Sequence, residues 1–176
     1  MIKLKRINTL LFAAMAMLFV SCGFKVGYSL SGASIPPEAK TFSVAYFPNN
    51  ATMVAPVLSS ELTNALKDIF LRRSNLVEVS SGGDFAFEGE ITSYTSTTAS
   101  VAAGTTNDYG TLNRLSVTVR VRFGNLIDEA GSFSKNFTAY QDYSSSQLLT
   151  EVEGELITLI VDEIVTDIFQ AAASNW

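Results

Sequence analysis

The chain has 176 residues, with 12 basic and 17 acidic side chains, no histidine and a single cysteine. That length suits one domain with a substantial core, and 47 % apolar against 16 % charged residues excludes a disordered chain. One cysteine allows no internal disulfide, and the absence of histidine removes the usual general base and the commonest metal ligand.

The first residues carry an export signature. Lys3, Lys5 and Arg6 make a positive start, and Ile7 to Val20 is apolar apart from Asn8 and Thr9. The run falls short of the ~20 apolar residues a membrane-spanning helix needs, but it matches a secretory leader. It ends in Leu18-Phe19-Val20-Ser21-Cys22-Gly23, which resembles the bacterial lipobox, although Phe19 stands where Leu or Val is usual. The expectation is a signal peptide over residues 1–21, cleavage before Cys22, and a Cys22 bearing a diacylglyceryl thioether and an N-terminal acyl chain such as palmitate. Together these acyl chains make a lasting anchor at ~0.8 kcal/mol per buried methylene. A plain leader followed by a free thiol is the other reading, and it leaves the lone cysteine at the cleavage site without a purpose. Removing Lys3, Lys5 and Arg6 with the leader leaves nine basic against 17 acidic residues, a net charge of −8 for the mature chain. That balance does not fit a nucleic-acid binder.

Residues 22–27 read as a tether, and 28–176 as one domain. Tyr28-Ser29-Leu30 alternates and reads as a first edge strand. Phe42, Val44 and Tyr46 alternate with Thr41, Ser43 and Ala45, which predicts a half-buried strand. A helix is expected from Ala55 to Arg73, with Leu58, Leu62, Leu66, Ile69 and Phe70 on one side and Pro56 in the first turn. Leu76, Val77 and Val79 start a short strand, and Ser80-Ser81-Gly82-Gly83 reads as a hairpin-like turn. Asp84 to Thr98 is a long strand with Phe85, Phe87 and Ile91 on one face and Glu88 and Glu90 on the other.

Ala99 to Gly110 reads as a loop rich in Gly, Thr, Asn and Asp. Leu112 to Asn125 is the clearest strand: Leu115, Val117, Val119, Val121 and Phe123 share one face, Arg114, Ser116, Thr118, Arg120 and Arg122 the other. Asp128 to Gly131 is a turn, Phe133 to Tyr143 an aromatic-rich strand, and Gln147 to Ala173 a helix whose wide apolar stripe predicts burial of most of its surface. The expected fold is α+β: a two-layer sandwich with two helices on one face of a mostly antiparallel sheet of about four main strands.

Little catalytic chemistry is left. No spacing matches a phosphate-binding loop, and Gly82-Gly83 lies between strands rather than between a strand and a helix. Glu88 and Glu90 form an i, i+2 carboxylate pair on a solvated strand face, the ordinary fate of such pairs. The expectation is no catalytic residue, no cofactor and no metal. Arg114, Arg120 and Arg122 are the one constellation to weigh, because arginine forks suit phosphate and carboxylate. They are candidates for contact with an anionic lipid or a partner protein. The alternative is pairing across the sheet with Glu88 and Glu90. Lys135 shares its strict-alternation face with Phe133 and Phe137 and is ambiguous. Phe85, Phe87, Phe123, Phe133 and Phe137 read as core, with an apolar lipid cavity as the alternative.

Several segments together resemble one family. The stretch from Tyr28 to Asn49 (YSLSGASIPPEAKTFSVAYFPN), then Gly82 to Ile91 (GGDFAFEGEI), Leu112 to Phe123 (LNRLSVTVRVRF) and the end of the chain, Asp167-Ile168-Phe169 and Asn175-Trp176, are similar in order and spacing to the lipopolysaccharide-assembly lipoprotein family LptE in its Bacteroidota form. The resemblance implies a two-helix sandwich anchored to the inner leaflet of the outer membrane, facing the periplasm. It implies a plug inside the β-barrel translocon LptD that helps the barrel assemble and lipopolysaccharide reach the surface, without enzymatic activity. Some members bind lipopolysaccharide through basic residues on the sheet, near Arg114, Arg120 and Arg122 here. Two further features agree with outer-membrane sorting toward the periplasm: Gly23-Phe24 carries no aspartate, and no acidic run follows Cys22. The competing expectations are a free-standing lipid-binding or transport-auxiliary lipoprotein, with an apolar cavity, and a degenerate enzyme domain, with a polar cleft.

Overall fold

A computed structural model of the chain describes residues 35–53, 55–99 and 112–173. The leader, Cys22, the tether, the Tyr28–Leu30 strand and nearly all of the 99–110 loop lie outside the described residues. The elements in chain order are β1 (Thr41–Val44), α1 (Leu58–Arg73), β2 (Val77–Glu78), β3 (Phe85–Ala99), β4 (Leu112–Asn125), a short 3-10 turn (Glu129–Gly131), β5 (Phe133–Ser144) and α2 (Leu149–Ala173).

Among the described residues the sheet has five strands in the order β2-β1-β3-β4-β5, not about four. It is also mixed: β3, β4 and β5 form an antiparallel meander, while β1 runs parallel to both of its neighbours. The parallel pair β1–β2 is joined through α1, the crossover that parallel neighbours need. The segment Ser80–Gly83 is therefore not a hairpin, because β1 lies between β2 and β3. It crosses close over β1 instead. Gly82 takes a left-handed φ of 67°, and a Cβ on Gly83 would sit 2.6 Å from the Phe42 carbonyl carbon. Glycine is required at both positions for different reasons, one conformational and one steric.

Both helices pack on one face of the sheet. Phe70 of α1 lies 5.5 Å from Phe42, 4.7 Å from Phe87 and 5.0 Å from Phe169 of α2, centroid to centroid, so one ring joins both strands and both helices. Phe123 continues the stack, 5.1 Å from Phe85 and 4.8 Å from Phe87. Ring-on-ring packing fills this space as core. Phe133 and Phe137 are only partly buried at its margin.

Local corrections follow from single inserted residues. Phe42 pairs with Phe85 and Val44 with Phe87, but Asn49 pairs with Ile91, one residue later than that offset predicts. The extra residue reverses the alternation, so Tyr46 is 63 % exposed and Phe47 is fully buried in its place. The Phe47 N–H donates to Thr63 Oγ1 of α1, which in turn donates to the Ser59 carbonyl. A second irregularity lies between Ile91 and Ser93. It turns Tyr94 into the core, where its hydroxyl donates to Glu153 of α2. Burial, and then that hydrogen bond, push the Tyr94 phenol above its ordinary range.

The helices start later than their apolar patterns. α1 begins at Leu58 rather than Ala55, because Pro56 disfavours helical geometry at Ala55, and Ala55 instead closes a turn to the Leu58 N–H. α2 begins at Leu149, and it does not bury most of its surface: Leu159 is 46 % exposed, and Glu151, Glu155, Asp162, Glu163 and Asp167 face out. No helix among the described residues is long and apolar enough to cross a membrane.

Candidate functional site

The face of the sheet opposite the helices is polar on five successive rows that cross β3, β4 and β5, short of the end row Ala99–Leu112–Ser144. The rows are Glu88–Arg122–Ser134, Glu90–Arg120–Asn136, Ser93–Thr118–Thr138, Thr95–Ser116–Tyr140 and Thr97–Arg114–Asp142. Among the described residues no element covers this face. Its centre is a band of hydroxyls in which Thr118 and Thr138 share a hydrogen bond of 2.9 Å. Ion pairs stand at both ends.

The three candidate arginines do not form one cluster. Arg114 lies six residues along β4 from Arg120, about 20 Å at strand spacing. It makes a bidentate pair with Asp142 of β5, at 2.7 and 2.8 Å, and its guanidinium lies 3.8 Å from the Tyr140 ring centroid. The pair holds the Asp142 carboxyl below its ordinary range and raises the guanidinium. Arg114 thus pairs with neither Glu88 nor Glu90.

Arg120 and Arg122 stay together at the other end. Arg120 Nη1 is 3.0 Å from Glu90, and Arg122 Nη2 is 3.5 Å from Glu88. Glu90 also accepts from Asn50 Nδ2 at 2.7 Å, which draws the segment after β1 to the rim. Arg122 is the less constrained, with 70 % of its side chain exposed. Two open depressions meet here. One, of about 490 Å³, is lined by Pro48, Gly89, Glu90, Arg120, Arg122 and Ser134. The other, of about 510 Å³, shares Arg122 and Ser134 and reaches Phe123 and Phe133.

Exposed ion pairs contribute only about 0–1 kcal/mol. Arg120 and Arg122 can therefore exchange their glutamates for a phosphate or carboxylate at small cost. Lys135 projects on the helix side, exposed, with Nζ 5.0 Å from the Phe133 centroid, and takes no part in this site. Asn50, Ser134 and Tyr140 belong to the face but carry no sequence signal of their own; Asp142 carries one, as a charge at an outward position of a predicted strand.

Away from this face, Asp84 closes the start of the sheet. Its carboxylate accepts from the Lys40 and Thr41 N–H groups and the Thr41 hydroxyl, at 2.8–2.9 Å. Those bonds, the Lys40 N–H first, hold it below the ordinary carboxylate range.

The fold has counterparts among solved structures. A hypothetical protein of Chlamydia trachomatis matches at 11 % identity and TM-score 0.52, over 78 % of this chain and 99 % of that one. A Helicobacter pylori protein described as a neuraminyllactose-binding hemagglutinin homologue matches at 9 % identity and TM-score 0.51, over 81 % and 88 %. A minor lipoprotein of Acinetobacter baumannii matches at 18 % identity and TM-score 0.47, over 77 % and 94 %. No curated protein sequence matches. The family model for LptE, described as lipopolysaccharide-assembly, matches residues 39–172, from just before β1 to the last turn of α2. The chain belongs to the LptE family of lipopolysaccharide assembly.

Proposed function

We propose that this protein is an outer-membrane lipoprotein, held on the periplasmic side by acylated Cys22. In this reading it plugs and helps assemble an LptD-type β-barrel translocon and so supports insertion of lipopolysaccharide at the cell surface. The observation that carries the reading is the LptE match, which takes in all five strands and nearly all of both helices. The polar face across β3, β4 and β5 is compatible with it, since the interior of a transmembrane barrel is polar. The role is non-catalytic: binding and positioning, with Arg120 and Arg122 as the contact for an anionic lipid or for the barrel.

The test is replacement of Cys22 in the living cell. Cys22→Ala is expected to abolish labelling of the protein by radioactive palmitate and to release it from the outer-membrane fraction. Surface lipopolysaccharide should fall as it does when the protein is depleted. Normal surface lipopolysaccharide in depleted cells would contradict the proposal. In cells carrying Arg120→Glu and Arg122→Glu together, barrel assembly or lipopolysaccharide binding is expected to drop. Survival of both would assign these arginines a structural role only.

A further inference from the structure

The contacts that Arg120 and Arg122 make with their glutamates are unequal. Glu90 uses both carboxylate oxygens: one accepts from Arg120 Nη1 at 3.0 Å, the other from Asn50 Nδ2 at 2.7 Å. Asn50 is itself fixed to the sheet. Its N–H donates to the Ile91 carbonyl, and the Ile91 N–H donates to the Pro48 carbonyl, both at 2.9 Å. Glu88 has no such support. Its contact with Arg122 Nη2 is 3.5 Å, longer than the about 2.7–2.9 Å of a charge-assisted hydrogen bond. The Glu88 side chain is 62 % exposed, against 33 % for Glu90.

The donors left over suit a phosphate. A guanidinium carries five N–H groups, and neither arginine is gripped by both prongs of its fork. The two residues stand two positions apart on one face of β4, about 7 Å at strand spacing. Both line the depression of about 490 Å³, together with Ser134. This sheet takes a carboxylate in another way: Arg114 holds Asp142 with both prongs of one guanidinium. A phosphate monoester has three strong acceptor oxygens and can be shared between two guanidiniums that each keep donors in reserve.

We propose that Glu88 is a built-in competitor, which a phosphate monoester displaces from Arg122. Glu90 is a positioning residue, which stays on Arg120 and holds it toward the same phosphate. These roles rest on the reading of Arg120 and Arg122 as an anion contact, and they name which carboxylate yields and which remains. Displacing Glu88 gives up one exposed pair, which contributes little. Displacing Glu90 breaks two hydrogen bonds and leaves the Asn50 amide unpaired. The four charges cancel while both pairs are closed, so the site turns positive only as Glu88 swings away.

The test follows the arginine side-chain N–H resonances of the full-length lipoprotein in dodecyl maltoside micelles at constant ionic strength. Inorganic phosphate is added in one series, and micelles doped with phosphatidic acid in another. Phosphate in either form is expected to move Arg120 and Arg122 and to leave Arg114, closed on Asp142, in place. The series that saturates at the lower phosphate concentration identifies the source as free phosphate or a lipid headgroup. Glu88→Gln is expected to tighten binding about threefold, within what one exposed ion pair contributes. Glu90→Gln removes the same charge and is expected not to tighten it. Asn50→Ala changes no charge and is expected to weaken binding about twofold, by loosening Glu90 and with it Arg120. Equal tightening by Glu88→Gln and Glu90→Gln would overturn the roles of the two glutamates while the anion contact stands. So would an Asn50→Ala protein that binds as wild type does. Phosphate that moves neither arginine would overturn the anion contact as well.

Discussion

At the scale of single residues, the tightest constraints are steric and polar. Gly89 lies on β3 beneath the Phe47 ring. A Cβ there would sit 2.5 Å from that ring and would collide with the Arg120 carbonyl, whereas Gly124 has nothing closer than 3.9 Å. Gly89→Ala is expected to lower stability by about 2–3 kcal/mol in urea unfolding, and Gly124→Ala by much less. Tyr94 joins the sheet to α2 through Glu153. Tyr94→Phe keeps the ring and loses the bond, so a loss of about 1–2 kcal/mol is expected. Because the phenol is raised in the folded state, its contribution is complete below pH 10, the ordinary value, and is lost as pH rises from there toward the folded value. Unfolding measured at pH 8 and pH 11 should show that alkaline loss in wild type and a smaller one in Tyr94→Phe.

At the scale of elements, patterns within one strand or helix were legible in the sequence and partnerships between them were not. Alternation locates β3, β4 and β5 to within a residue or so, and the opposition of Arg120 and Arg122 to Glu88 and Glu90 follows from two strands joined by one loop. The Arg114–Asp142 pair is different, because it depends on the β4–β5 register rather than on either strand alone. The insertion of β1 between β2 and β3 is likewise invisible, since β2 has two residues and its hydrogen bonds go to a strand over thirty positions earlier. One extra residue after Val44 exchanges Tyr46 for Phe47, and no local preference announces it. Packing across elements converges on Phe70, whose ring meets Phe42, Phe87 and Phe169. Phe70→Ala removes contact with two strands and with α2 at once, and a loss of about 3–5 kcal/mol is expected by thermal or urea unfolding.

At the scale of the whole molecule, the two faces are chemically distinct. The helix side buries the core and turns carboxylates outward, while the sheet side offers hydroxyls and self-paired charges. A molecule that inserts into a polar lumen needs such an uncovered, charge-balanced surface, and a solvated face of ion pairs contributes little to folding. The family assignment and this surface together make partnership with a barrel the central claim. Affinity purification of the intact lipoprotein from detergent-solubilised outer membranes, with the co-purifying proteins identified by mass, tests it most directly. The account predicts a large β-barrel protein in near-stoichiometric amount. Recovery of the protein without a barrel, alone or carrying extractable lipid, would contradict it.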